Sequence, residues 1–284
     1  MRSARLACDV PDRWRDAAKE RCLEIDLEPS GEARVTRWLV RGRAVRLTEG
    51  NFADLFTDYV RHAQLWGAAL DGLTSVMMRQ ALAGMALHAS TRPRDESVGF
   101  TLNFREPPVN VFITGDAAAS TVVGRFYTEG VQTAAASRLF VQSHRPGGEP
   151  RTSAIEVHGI DILEVLEQYY EQSEQSRARF FEYDDGHFLM VLATPGHDPE
   201  WLARLGREEA RTLMDHDADL LEHRVFVFHC GCSPQKMLQA MRAIWVDDED
   251  DLFQGDSGVE AFCPRCGRRW WIRQEDFREP DPGA

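Results

Sequence analysis

Apolar and polar positions change their period along the chain, and the changes predict its secondary structure. From Val35 to Leu47 apolar residues alternate with arginines, which predicts one half-exposed strand. Asn51 can cap a helix whose apolar residues recur at helical spacing up to Val60. Residues 64–88 are strongly apolar and predict a second helix. The pattern up to this point therefore predicts one strand followed by two helices.

After Pro93 the period changes to two, which is typical of strands. Gly, Pro and Asp separate the predicted strands, which cover residues 98–104, 109–115, 121–127, 138–142 and 153–157. The next predicted elements are a helix over 161–174, a hairpin of residues 178–183 and 187–193, and a charged helix over 199–221. These elements indicate an α+β fold.

The same changes predict five segments. An N-terminal extension, residues 1–33, precedes an α+β core domain, residues 34–195. A charged helical linker, residues 196–224, leads to a small C-terminal domain, residues 225–278. The tail, residues 279–284, is expected to be disordered.

Composition and charge exclude several classes of function. The chain has 284 residues, of which 43% are hydrophobic, so it can bury a sizeable core without disulfides. A net charge of −13 makes nucleic acid an unexpected partner. No apolar run approaches the 18 or so residues of a membrane span, and the N-terminus has no secretory signal. We therefore expect a cytoplasmic protein whose thiols are reduced.

Four of the six cysteines form two pairs in the last fifth of the chain. Cys230 and Cys232 are separated by thirty residues from Cys263 and Cys266. Thiolates are soft ligands, and four of them close the tetrahedral shell of a structural zinc ion. These residues are the predicted ligands of one Zn²⁺ per chain, because no ferredoxin spacing supports an iron–sulfur cluster. Cys8 and Cys22 are expected to be ordinary thiols.

A zinc site in so small a domain suggests a redox switch. Zinc binding supplies much of the folding free energy of a small lobe, about 10–16 kcal/mol in zinc peptides. Oxidation of the thiolates removes that contribution, so we expect the lobe to unfold. The acidic linker can lose its order with the lobe, because residues 196–284 carry 11 basic and 19 acidic side chains.

The sequence resembles that of the heat shock protein 33 family of redox-regulated chaperones. The resemblance rests on Cys230-Gly-Cys232-Ser233, on Cys263-Pro-Arg-Cys266 and on the Ser173-Glu174-Gln175 end of a helix, and it covers residues 34–278. The family's Gly-Asp-Gly turn is replaced by residues 104–108. The extension with Cys8 and Cys22 is also foreign to the family pattern.

The resemblance implies an ATP-independent holdase that binds unfolding proteins under oxidative stress. In such a protein the reduced, zinc-bound form is inactive. Oxidation forms the disulfides Cys230–Cys232 and Cys263–Cys266, releases zinc and favours a homodimer. The chain also lacks the phosphate-binding loop of ATPases.

Two other classes of function remain open. One is a zinc-ribbon adaptor that binds a specific protein without redox switching. The other is an enzyme with a structural zinc lobe, but the sequence shows no catalytic triad order and no dinucleotide fingerprint. We therefore expect no enzyme activity. The scattered histidines are expected to be structural or exposed, namely His62, His88, His144, His158, His187 and His197.

Overall fold

A computed structural model of the chain describes residues 31–132, 135–215, 217–245 and 249–278, without the side chains of residues 249, 250 and 278. The chain divides into two compact units. The larger unit contains Pro29–Gly231 and Pro264–Gly267, and the smaller unit contains Cys232–Cys263 and the chain from Arg268 onward. None of the helices in these ranges has both the length and the hydropathy that crossing a membrane requires.

A ten-stranded sheet forms the framework of the larger unit, with the order β7-β6-β3-β4-β5-β10-β1-β2-β9-β8. Its strands are β1 Glu32–Val40, β2 Val45–Asn51, β3 Ser97–Phe104, β4 Val109–Asp116, β5 Thr121–Tyr127, β6 Arg138–His144, β7 Arg151–Glu156, β8 Ala178–Glu182, β9 His187–Ala193 and β10 Ala218–Phe228. Its helices are α1 Ala53–Leu65, α2 Gly72–Thr91, α3 Ile162–Gln172, α4 Pro199–Arg204 and α5 Arg207–Arg211, with 3-10 turns at Arg41–Arg43 and Leu213–Asp215. The predicted α+β fold class is confirmed.

The predicted strands between residues 98 and 157 are confirmed, and their alternation separates the two faces of the sheet. Strands β3 and β4 alternate buried and half-buried residues along their whole length. Helix α2 covers the buried face, packing on β4 and β5. The opposite face carries Thr114 on β4 with Arg125 and Tyr127 on β5, all half-buried. The face opposite helix α2 is the one that contributes residues next to the second cysteine pair.

The prediction of one strand over residues 35–47 is wrong, because the chain reverses there. Strands β1 and β2 are antiparallel neighbours joined by a 3-10 turn at Arg41–Arg43. Ala44 completes the turn with a φ of 49°. The alternation of apolar residues and arginines continues through the turn, so the pattern itself gave no sign of the reversal.

The apolar stretch 64–88 is divided between two helices. Helix α1 ends at Leu65, and helix α2 begins at Gly72. The Asp71 side chain accepts a hydrogen bond from the Thr74 amide at 2.7 Å, and the Thr74 hydroxyl accepts one from the Asp71 amide. This capping box fixes a helix start inside a stretch that periodicity alone predicts as continuous. The helix predicted over residues 161–174 is confirmed as α3.

The segment 199–221 is not the single helix that its charge pattern predicts. It forms α4, α5 and the 3-10 turn Leu213–Asp215, and β10 then begins at Ala218. The segment packs through buried apolar side chains, namely Leu202, Leu205, Ala210 and Leu213, against the core around Leu47, Leu189 and Val191. These contacts determine the path of the segment, because the two helices are too short to be stable alone.

The smaller unit consists of short helices and one two-stranded sheet. Its elements are helix α6 Pro234–Ile244, helix α7 Glu249–Phe253, the antiparallel strands β11 Gly258–Phe262 and β12 Arg269–Arg273, and helix α8 Gln274–Arg278. Helix α6 begins directly after the first cysteine pair. The predicted extension and tail lie almost entirely outside the described residues.

The packing of β4 and β5 gives a stability prediction. A Cβ atom on Gly124 would lie 2.5 Å from the Phe112 carbonyl oxygen, so Gly124→Ala should lower the free energy of unfolding by about 1–3 kcal/mol. Gly99→Ala is the matched control, because its Cβ would meet Thr114 at an ordinary 3.5 Å. Urea denaturation followed by circular dichroism measures both; equal stability of the two variants would contradict this account of the sheet.

Candidate metal centre

The structure brings the four predicted cysteine ligands together. The sulfur atoms of Cys230, Cys232, Cys263 and Cys266 all lie within 4.8 Å of one another. Residues separated by thirty positions in the sequence therefore share one site.

The first pair follows the end of β10. Cys230 lies two residues after Phe228, and Gly231 has a φ of 60°, which turns the backbone between the two cysteines. Cys232 directly precedes Ser233, whose hydroxyl caps helix α6 by accepting a hydrogen bond from the Lys236 amide at 3.2 Å. The pair is half-buried. A tight backbone turn and a helix start therefore fix its two sulfurs.

The second pair lies in the turn between β11 and β12. The Cys263 amide donates to the Arg268 carbonyl at 2.7 Å and closes this turn. Gly267 has a φ of 81°, a conformation that favours glycine. Both cysteines of the pair are buried. We call residues 263–267 the cysteine turn.

The smaller unit buries few apolar side chains of its own. Among its described residues only Phe253, Cys263 and Ile272 are buried and hydrophobic, and helix α6 buries none. Phe253 meets Phe277 edge-on with ring centroids 5.5 Å apart. So small a core cannot offset the conformational entropy of ordering this segment, so the unit needs another source of folding free energy.

The donor set fits zinc. Four thiol sulfurs are the ligand set of structural zinc sites, and a Zn–S bond of about 2.3 Å places tetrahedral sulfurs about 3.8 Å apart. The separations of up to 4.8 Å accommodate this geometry. The four cysteines can therefore hold one metal ion, and a shell closed by four sulfurs leaves no position for a catalytic water.

Comparison with known proteins agrees with this geometry. The sequence model of the family described as Hsp33 protein matches residues 190–273, which include all four cysteines. The resemblance to the heat shock protein 33 family is confirmed. The match begins in β9 and ends with β12, so it covers the segment 196–224 and the cysteine pairs of the Hsp33 pattern.

Relatives named 33 kDa chaperonin extend the likeness. The one from Nitrosococcus oceani is 23% identical over 170 residues, which cover 52% of this chain and 59% of that protein. The one from Acaryochloris marina is 22% identical over 248 residues, 72% of this chain and 83% of that protein. The chain thus spans a little over half of the first of these relatives.

A solved structure supports the fold. The 33 kDa chaperonin of Thermotoga maritima superposes with a TM-score of 0.66 at 16% identity, covering 86% of this chain and 96% of that one. At this identity the likeness concerns the fold. The fold of this chain is therefore similar to that of the Thermotoga maritima protein.

The histidines are mostly structural or exposed, as predicted. His88 is buried, and its Nδ1 lies 2.9 Å from the Tyr170 hydroxyl. Burial, with the nearby charge of Arg92, lowers the pKa of His88 to about 3, so its ring is neutral. His144 and His158 are exposed, and His187 lies 3.0 Å from Glu49. Cys8 and Cys22 lie outside the described residues.

Sequence reasoning missed four residues of the larger unit that contact the cysteine turn. They are His62, Thr114, Arg125 and Tyr127. His62 is expected from the sequence to be structural or exposed, and the other three carry no local signal. They come from α1, β4 and β5, so only the folded sheet brings them to the turn.

Metal substitution tests the site directly. Reduced, metal-free protein should bind one Co²⁺ per chain and develop the visible absorption of tetrahedral cobalt with sulfur-to-metal charge transfer. Cys232→Ser should weaken the charge-transfer band and lower metal affinity by more than about tenfold, because one of four sulfurs is lost. Cys8→Ser is the control and should match the wild type. A spectrum unchanged by Cys232→Ser would remove Cys232 from the site.

Proposed function

We propose that this protein is a redox-regulated, ATP-independent holdase chaperone that binds unfolding client proteins under oxidative stress in the cytoplasm. The convergence of four cysteine sulfurs within 4.8 Å in an Hsp33-like fold carries the proposal. The activity is client binding, not catalysis. Residues 34–195 are the client-binding core, residues 196–224 the linker, and residues 225–278 the zinc-binding switch.

Cys230, Cys232, Cys263 and Cys266 hold one Zn²⁺ in the reduced, inactive state. When bound, the ion supplies folding free energy that the smaller unit lacks, because that unit buries few apolar side chains. The four thiolates outweigh the charge of the ion by two, which adds to the net acidity of residues 196–284. In the reduced protein the bound ion thus keeps the smaller unit folded, although the negative charges of residues 196–284 repel one another.

Oxidation converts the thiolates into two disulfides, Cys230–Cys232 and Cys263–Cys266. In each pair two thiolates give two electrons to one hydrogen peroxide, and one S–S bond forms. The two oxygen atoms leave as two water molecules after taking up two protons. Disulfide sulfurs are poor metal ligands, so zinc is released and the unit loses its main source of folding free energy.

Unfolding of the switch then exposes apolar surface in the linker and on the sheet. The linker is held by Leu202, Leu205 and Leu213 in the core. It is also held by exposed ion pairs, Arg207 with Asp184 at 3.1 Å and Arg211 with Asp185 at 2.9 Å. Exposed pairs of this kind contribute little, so the linker is held here mainly by its buried leucines. Its release exposes the surface that binds clients and allows the oxidised form to dimerise.

Warm hydrogen peroxide tests the switch in the wild type. The reduced protein should release one zinc ion per chain and begin to suppress the aggregation of a heat-denatured test enzyme, and dithiothreitol should reverse both effects. A metallochromic indicator measures zinc, and light scattering measures aggregation. If suppression is the same before and after oxidation, the protein is a zinc-ribbon adaptor instead.

A cysteine variant tests the role of the second pair. Cys263→Ser cannot form the Cys263–Cys266 disulfide, so it should abolish the peroxide-induced rise in aggregation suppression. Cys8→Ser should activate like the wild type. The two variants are compared in the same light-scattering assay. Normal activation of Cys263→Ser by peroxide would contradict the proposed disulfide.

A further inference from the structure

The cysteine turn is held by side chains of the large sheet. The Tyr127 hydroxyl donates a hydrogen bond to the Pro264 carbonyl at 2.6 Å. The Arg265 guanidinium donates to the Thr114 hydroxyl at 2.8 Å. Thr114 and Tyr127 stand on the face of the sheet opposite helix α2. Two consecutive residues of the turn are therefore fixed to neighbouring strands.

His62 makes the next contact, and it touches the chain on both sides of the site. Its Nε2 lies 3.0 Å from the Cys266 carbonyl oxygen, which can only accept, so Nε2 donates. Its ring also meets Phe228 edge-on with centroids 5.4 Å apart. Phe228 is the last residue of β10, two positions before Cys230. The His62 side chain thus contacts both Cys266 and Phe228, the strand residue that lies shortly before Cys230.

Arg125 completes the set at Gly267. A Cβ atom on Gly267 would lie 3.2 Å from the Arg125 guanidinium, so the glycine allows a close approach. The same guanidinium lies over the Tyr127 ring, 4.2 Å from its centroid. Each residue from Pro264 to Gly267 therefore meets a different side chain of α1, β4 or β5. Four contacts on four successive residues define the position of the turn.

We propose that His62, Thr114 and Tyr127 are positioning residues of the metal centre. They hold Cys266 beside Cys230 and so set the rate at which zinc is lost and the thiols react. The inference rests on the proposed zinc site and adds a means of regulation: the core domain, through these side chains, controls how readily the switch opens.

These contacts act by restraining the cysteine turn locally. Residues 233–262 form a thirty-residue connection between the two cysteine pairs, and the smaller unit has few buried side chains to fix its ends. Without the contacts from α1, β4 and β5, Cys266 would be restrained only by the metal and the short β11–β12 hairpin. Each contact therefore lowers the fraction of time that a sulfur spends away from the site, which is when a chelator or an oxidant can react.

Conservative variants test the proposal in the full-length, reduced, zinc-loaded protein. Tyr127→Phe and Thr114→Val each remove one hydrogen bond and keep the size of the side chain. Each should raise the rate of zinc transfer to a chromogenic chelator about threefold, and the double variant about tenfold. The rates of alkylation of Cys230 and Cys266, followed by mass spectrometry, should rise in the same order.

His62 is tested separately with two replacements. His62→Phe keeps a ring against Phe228 but loses the hydrogen bond to Cys266, whereas His62→Ala loses both. Zinc transfer should be faster than in the wild type in the first variant and faster still in the second. Equal rates for His62→Phe and the wild type would remove the hydrogen bond from the proposal.

The control is the double variant Thr101→Val with Tyr169→Phe. Thr101 is a half-buried threonine on β3, and the Tyr169 hydroxyl donates to Glu174 at 2.6 Å in the core, so the chemical changes are matched. Zinc transfer from the control should equal that of the wild type. The proposal is overturned if Thr114→Val with Tyr127→Phe releases zinc no faster than this control.

The outcome is separable from that of the proposed function. If the wild type binds zinc but peroxide starts no aggregation suppression, the holdase proposal fails, and the comparison of transfer rates still decides the role of the positioning residues. If peroxide activates the wild type and the double variant at the same rate, the holdase proposal stands and the positioning role is rejected.

Discussion

The convergence of four sulfurs is the interaction on which the C-terminal part of this structure depends. In the described part of the smaller unit, Phe253, Ile272 and Cys263 are the buried hydrophobic residues. Helix α6 is amphipathic in sequence but buries no residue. A segment of this size without a core does not fold by hydrophobic burial alone. Its order must come from links between distant parts of the chain, and the cysteine pairs are the strongest links available.

The large sheet supplies the second constraint. Strand β10 begins within the linker, at Ala218, and lies in the middle of the sheet, antiparallel to β1 and parallel to β5. The chain therefore leaves the sheet just before Cys230, at a position fixed by β1 and β5 on the two sides of β10. The cysteine turn meets the same region through His62, Thr114 and Tyr127. One cysteine of each pair, Cys230 and Cys266, thus belongs to the larger unit.

The sequence predicts the features that depend on neighbouring residues, and it misses the turns and contacts that depend on packing between distant residues. Spacing identified the four cysteines, and a period of two identified β3 to β5, because both signals lie in neighbouring residues. The reversal at Arg41–Arg43, the capping box at Asp71 and the path of residues 199–215 depend on turns and packing that interrupt an unbroken pattern. His62 and Tyr127 reach the site from different elements, so no spacing in the sequence could assign them to it.

The relative strengths of these links decide how such a switch behaves. A hydrogen bond contributes about 0.5–1.5 kcal/mol, so the three bonds that reach the cysteine turn from His62, Thr114 and Tyr127 contribute a few kcal/mol together. A structural zinc ion contributes about 10–16 kcal/mol in small peptides. On the proposed function, the contacts with the sheet are therefore too weak to keep the smaller unit folded after the thiolates are oxidised. They are strong enough to change the rate at which the site opens, so the sheet adjusts the sensitivity of the switch and the cysteines determine its state.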